Sequence, residues 1–107
     1  MINNEILTEI CAVLEQRKQA DPDTSYTAKL FEKGQDSILK KVGEEASEVL
    51  IASKSGEKDD IIHEIADLWF HTLVLLKYHG FELEDVMQEL NERFGTPGLE
   101  EKANRSN

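Results

Sequence analysis

One cysteine, two prolines and one tryptophan in 107 residues leave little room for several kinds of protein. Cys11 alone cannot form an intrachain disulfide, so no cross-linked secreted scaffold is present. It stands among apolar residues at helical spacing and reads as packing. Pro22 and Pro97 leave the whole stretch between them free of the residue that breaks helices. Long hydrophobic runs are missing too. The longest, around Leu68 to Leu76, is interrupted by His71 and Thr72 and is too short to span a bilayer. Met1 to Gln16 contains no apolar core of a signal peptide. Basic residues are scarce, 12 against 22 acids, and the net charge is −10. Such a chain is repelled by nucleic acid and by anionic membranes, so neither is a partner. No Gly-x-x-x-x-Gly-Lys loop and no cysteine–histidine zinc spacing is present, and three histidines on helices give no basis for a serine–histidine–aspartate triad.

What is there reads as helix, in a single domain spanning residues 1–107. Ile6, Leu7, Ile10, Val13 and Leu14 predict a helix from about Asn4 to Arg17, stopped before Asp21-Pro22-Asp23. Thr24 or Ser25 caps a short helix carrying Tyr26, Leu30 and Phe31, and Gly34 ends it. A long helix follows from Asp36 to Ser55, with Ile38, Leu39, Val42, Ala46, Val49 and Leu50 as its stripe and Gly56 at its C-cap. The next runs from Asp59 to His79, with Ile62, Ile65, Ala66, Leu68, Trp69, Leu73 and Leu76 inside. The last runs from Leu83 to Phe94, with Val86, Met87 and Leu90 inward. Leu99 to Asn107 is a polar tail. No segment alternates as a strand does. The expected fold is an all-α antiparallel bundle of four-helix type, completed by a second copy of the chain.

The turn at Ser55-Gly56-Glu57 folds the two long helices against each other and brings two acidic motifs together. One is Glu44-Glu45-Ala46-Ser47-Glu48 and the other is Glu64-Ile65-Ala66-Asp67. Residues three apart on a helix differ by roughly 60° and lie one turn apart. Glu45 and Glu48 therefore share a face, as do Glu64 and Asp67. Clustered carboxylates repel one another unless a cation joins them, and a hard divalent ion such as magnesium takes oxygen ligands. A solvated helix face is the ordinary reading of such acids. Against it stand the apolar neighbours Val42, Val49, Ile62 and Leu68, and the lack of lysines four residues onward. Glu44 lies about 100° from Glu45, in place either to support the ligands or to act as a base for water. His71, one heptad beyond Glu64, either orients a carboxylate, touches substrate or is a partly buried helix histidine. His63 and His79 read as structural or surface residues.

Lys41, one turn before Glu45, is placed either to reach a phosphate or to pair with the acids, and Lys40 precedes it. Tyr26 and Thr27 open the short helix, where capping competes with phosphate or base binding. Arg93, Lys102 and Arg105 gather positive charge near the end of the chain and suit phosphate.

The pair EExxE and ExxD resembles the metal site of the all-α nucleoside triphosphate pyrophosphohydrolases, which include MazG-type and dimeric dUTPase enzymes. SYTAKLFEKG (25–34), ILKKVGEEASEV (38–49), EIADLWFHTLVLL (64–76) and GLEEKANR (98–105) are similar, within that superfamily, to the phosphoribosyl-ATP pyrophosphohydrolases. The resemblance implies hydrolysis of phosphoribosyl-ATP in histidine biosynthesis, magnesium, a cytoplasmic location and a homodimer. It implies Glu45, Glu48, Glu64 and Asp67 as ligands, and Lys40, Lys41, Lys102 and Arg105 on the substrate side. Two other readings compete: a house-cleaning pyrophosphohydrolase for free nucleoside triphosphates, and a non-catalytic helical module. A di-iron bundle would use Glu-x-x-His, which this sequence lacks.

Overall fold

A computed structural model describes residues 5–95 and contains, among them, five helices and no strand. They are α1 (Ile6–Arg17), α2 (Tyr26–Lys33), α3 (Gln35–Ser55), α4 (Lys58–Tyr78) and α5 (Leu83–Phe94). Lys102, Arg105 and the polar tail lie outside the described residues.

Local chemistry sets the boundaries. Of the two candidate caps for α2, Ser25 does the capping: its Oγ accepts the Ala28 N–H at 3.1 Å. Thr24 instead closes the preceding turn by donating to the Asp21 carbonyl. Gly34, at φ +97°, supplies the bend that lets α3 start one residue later. Gly56 is left-handed at φ +79° and its N–H bonds the Ala52 carbonyl, closing α3. Glu82 and Asp85 form a reciprocal capping box at the start of α5.

The α3–α4 hairpin is the spine, and its contacts run along both helices. The other helices cover only one end of it. There α1 packs on α4, α2 on α3, and α5 on α1. Leu14, Ile38 and Val74 are almost fully buried in this region, joined by Cys11, Leu30, Leu73 and Leu83. Burial of each large side chain stabilises the fold by roughly 1.5–3 kcal/mol. Cys11 is free, and burial raises its pKa, as packing requires.

Several residues assigned inward from their spacing are outside. Val86, Met87 and Leu90 are exposed on α5, as are Leu39, Leu50, Ile62 and Trp69 on the hairpin. The stripes have the right period, but one chain holds too few helices to cover them. Among the described residues no helix is long and apolar enough to cross a membrane.

Candidate metal and phosphate site

The two acidic motifs meet across the hairpin. A groove of about 470 Å³ is lined by Lys41, Glu44, Glu45, Ser47 and Glu48 from α3 and by His63, Glu64 and Asp67 from α4. The spacing argument thus places all four proposed ligands, Glu45, Glu48, Glu64 and Asp67, on one surface.

Within it, His63, Glu64 and Asp67 offer donor atoms that all lie within 4.8 Å of one another. His63, read from sequence as a structural or surface residue, is therefore part of the site. Its Nε2 is 3.3 Å from an Asp67 carboxylate oxygen. The signal was present as His63 and Asp67 four apart, one turn along a helix. Exposure of the ring does not remove it from the groove.

The surroundings of Glu64 disfavour its charged form. Glu64 is pushed above the usual carboxylate range, first by desolvation and then by Glu48, Glu45 and Asp67, with His63 opposing. Desolvation and neighbouring like charge each raise the pKa of a carboxyl group in this way. Carboxylate oxygens are also the donors a hard divalent ion prefers. The donor chemistry fits such an ion: His63, Glu64 and Asp67 come within reach of one another, while Glu45 and Glu48 line the same groove outside that group.

Lys41 stands at one end of the groove, 3.6 Å from Glu45 and 3.9 Å from Glu44. Its pKa is raised, first by the Tyr26 phenol and then, against desolvation, by Glu45 and Glu44. It is a fixed positive charge beside the acids. Glu44 is exposed at the rim. Tyr26, on α2, does not line the groove; its hydroxyl is 3.0 Å from His71 Nε2.

Other candidates are not gathered here. Lys40 is exposed and does not line the groove. Thr27 lines an apolar recess with Ile10, Val13 and Phe70 instead. Arg93 is on α5 and its Nε donates to Glu89 at 2.8 Å.

Two antiparallel helices that line one groove with carboxylates from both sides, and a lysine beside them, define an all-helical protein with an acidic cluster of the kind that can hold a cation. Comparison with known proteins gives the particular family. The profile of phosphoribosyl-ATP pyrophosphohydrolase matches residues 7–94. A phosphoribosyl-ATP pyrophosphatase of Vesicomyosocius okutanii is 55% identical over 97% of this chain and 99% of its own length. Proteins of the same name from Hydrogenovibrio crunogenus and Chromobacterium violaceum are 51% and 55% identical, covering 98% and 94% of the chain and 96% and 94% of their own lengths. The chain belongs to the phosphoribosyl-ATP pyrophosphohydrolase family.

Proposed function

We infer that this protein hydrolyses phosphoribosyl-ATP to phosphoribosyl-AMP and pyrophosphate, the second step of histidine biosynthesis. The observation that carries the reading is the acid-lined groove in a chain matched over nearly its full length by relatives of that name. A cytoplasmic place of action belongs to the same reading.

Water attacks phosphorus, the anhydride bond between the α- and β-phosphates breaks, and pyrophosphate leaves. Glu45, Glu48, Glu64 and Asp67 would hold magnesium, which would supply positive charge to offset the triphosphate. Glu44, exposed at the rim, is the base that takes the proton from the attacking water. Lys41 exchanges its contacts with Glu44 and Glu45 for the phosphate chain. Lys102 and Arg105 add positive charge from the tail, while Tyr26, Thr27, Lys40 and Arg93 are weaker substrate-side candidates. The work of the protein is placement and electrostatics.

The enzyme acts as a homodimer in this reading. Support comes from the apolar side chains left open: Leu50, Ile51, Ile62 and Trp69 on the hairpin, and Val86, Met87 and Leu90 on α5. Exposed apolar surface of this kind marks an interface, and self-association usually follows a two-fold axis.

The test is pyrophosphate release from phosphoribosyl-ATP with and without magnesium, beside ATP and dUTP. Magnesium-dependent release from phosphoribosyl-ATP alone is expected. Release mainly from ATP or dUTP would move the protein to the house-cleaning class, and no release from any would end the enzymatic reading.

A further inference from the structure

His63 brings the only imidazole to the acid groove, and the chemistry above gives it no part. It lies on α4, and its side chain is 73% exposed, so a dissolved ion can reach the ring. Its Nε2 is 3.3 Å from an Asp67 carboxylate oxygen. Glu64 adds a second carboxylate, and the three donor atoms all lie within 4.8 Å of one another.

Both the spacing and the distance suit a shared ion. His63-Glu64-Ile65-Ala66-Asp67 repeats the i, i+4 placement with which a helical H-E-x-x-H motif presents two ligands to one metal. An aspartate stands where that motif has its second histidine. Two donors each about 2.1 Å from one ion are roughly 3.0 Å apart at a right angle and roughly 3.4 Å apart at the tetrahedral angle. The observed 3.3 Å falls between these values. An ordinary surface pair of this spacing would also join His63 to Asp67. Such a pair leaves Glu64 out, whereas an ion uses all three donors.

A nitrogen donor changes which ion the site prefers. Carboxylates serve magnesium and manganese alike. Imidazole suits the transition ions, while magnesium is hard, favours oxygen and gives up its waters reluctantly. Lys41 also lines the groove, but an ammonium has no lone pair to offer.

We propose that His63 is a nitrogen ligand for a first-row transition dication of the manganese kind, beside Glu64 and Asp67, and that it sets the preference of the groove for such an ion over magnesium. The inference rests on the reading of the groove as a metal site. It adds to the carboxylate set a residue that acts on ion choice. With magnesium the imidazole stays outside the coordination and only hydrogen-bonds Asp67. That orienting role is the competing account for every ion.

The experiment uses the full chain and the metal alone, without substrate. Calorimetry measures the affinity of wild type, His63→Gln and His63→Ala for manganese and for magnesium. Pulsed electron paramagnetic resonance of bound manganese reports whether a nitrogen is coordinated. Glutamine keeps an N–H that can donate to Asp67 and removes the imidazole lone pair, so it separates ligation from orientation. At so exposed a position both substitutions leave the packing intact. Wild type is expected to bind manganese at least about ten-fold more tightly than magnesium. Both variants are expected to lose about ten-fold in manganese affinity and less than about two-fold in magnesium affinity. Imidazole nitrogen coupling is expected in wild type and not in His63→Gln. Full manganese affinity in His63→Gln, or no nitrogen coupling in wild type, would overturn the proposal in favour of orientation. Equal losses for the two ions would overturn it as well. A wild type that binds neither ion would overturn the underlying reading together with this inference; tight binding of both ions that neither substitution alters would overturn the inference alone.

Discussion

The two ends of the α3–α4 hairpin are built from similar sequence and end in different surroundings. At one end Ile38 and Val74 are sealed under α1 and α2, with scarcely any exposure. At the other, Leu50, Ile51 and Ile62 are 70%, 63% and 58% exposed, and Ala52 is the residue there that is buried. Apolar content therefore does not say which end is core. What differs is whether another helix of the same chain reaches it. The acid groove lies between these ends, where the helices still pack but are not yet roofed. Carboxylates there are close enough to crowd and open enough to admit a charged ligand.

This comparison can be broken by substitution, and the groove is expected to give the largest effect. Glu48→Gln or Asp67→Asn should lower turnover by at least about 100-fold, as loss of a preorganised electrostatic group does. Far-ultraviolet circular dichroism should be unchanged. Full activity in both variants would remove the groove from the chemistry.

The covered end comes next. Ile38→Ala is expected to cost about 2–5 kcal/mol in urea unfolding, because it empties a site that cannot collapse. Leu50→Ala, at the open end, should change the stability of the single chain by less than about 0.5 kcal/mol. The sharper probe there is Ile62→Glu, read by sedimentation. It should shift the protein from dimer to monomer while helical content stays. A dimer that survives both Ile62→Glu and Leu50→Glu would place the interface elsewhere.

Lys77 makes a smaller test within the covered end. Its ammonium is buried and bonds Glu15 and Glu82, each at 3.3 Å. Both partners are more than half exposed, so removing the lysine leaves solvated carboxylates rather than a stranded buried charge. Lys77→Met should therefore cost only about 1 kcal/mol.

The pH dependence has two edges. Desolvation would raise the pKa of Glu15, but its hydrogen bond to Lys77 and the charge of Lys18 prevail and lower it. Its contribution is present above the ordinary glutamate range and is lost as pH falls through the depressed value. Desolvation lowers the pKa of Lys77, yet Glu82 and Glu15 prevail and raise it. That contribution is complete below the ordinary lysine range and is lost as pH rises through the elevated value. Melting temperatures measured between about pH 3 and 6 should fall less steeply toward acid in Lys77→Met than in wild type. An identical acid slope would contradict the pairing.

Much of this architecture was readable in advance, because it depends on neighbours in sequence. Ser25 caps, Gly56 terminates, and Glu45/Glu48 and Glu64/Asp67 share faces through helix geometry alone. The short turn then fixed how the motifs meet. What sequence could not supply was the third dimension. Val86, Met87 and Leu90 form an apolar stripe, but a stripe does not name what lies against it. Tyr26 and His71 are joined across helices, and no local pattern links them. His63 stands one turn from Asp67, a spacing legible in the sequence, but only the groove that both residues line gives that spacing a use. Thr27 follows Tyr26 directly, yet it faces a different recess.

The central claim is that the hairpin's carboxylates hold a divalent ion for hydrolysis of phosphoribosyl-ATP. The most direct test is pyrophosphate release by wild type and Asp67→Asn, side by side, across a magnesium titration at fixed phosphoribosyl-ATP. The account predicts saturable activation of wild type and, in Asp67→Asn, little release with a requirement for far more magnesium. Equal activation curves for the two proteins would contradict it.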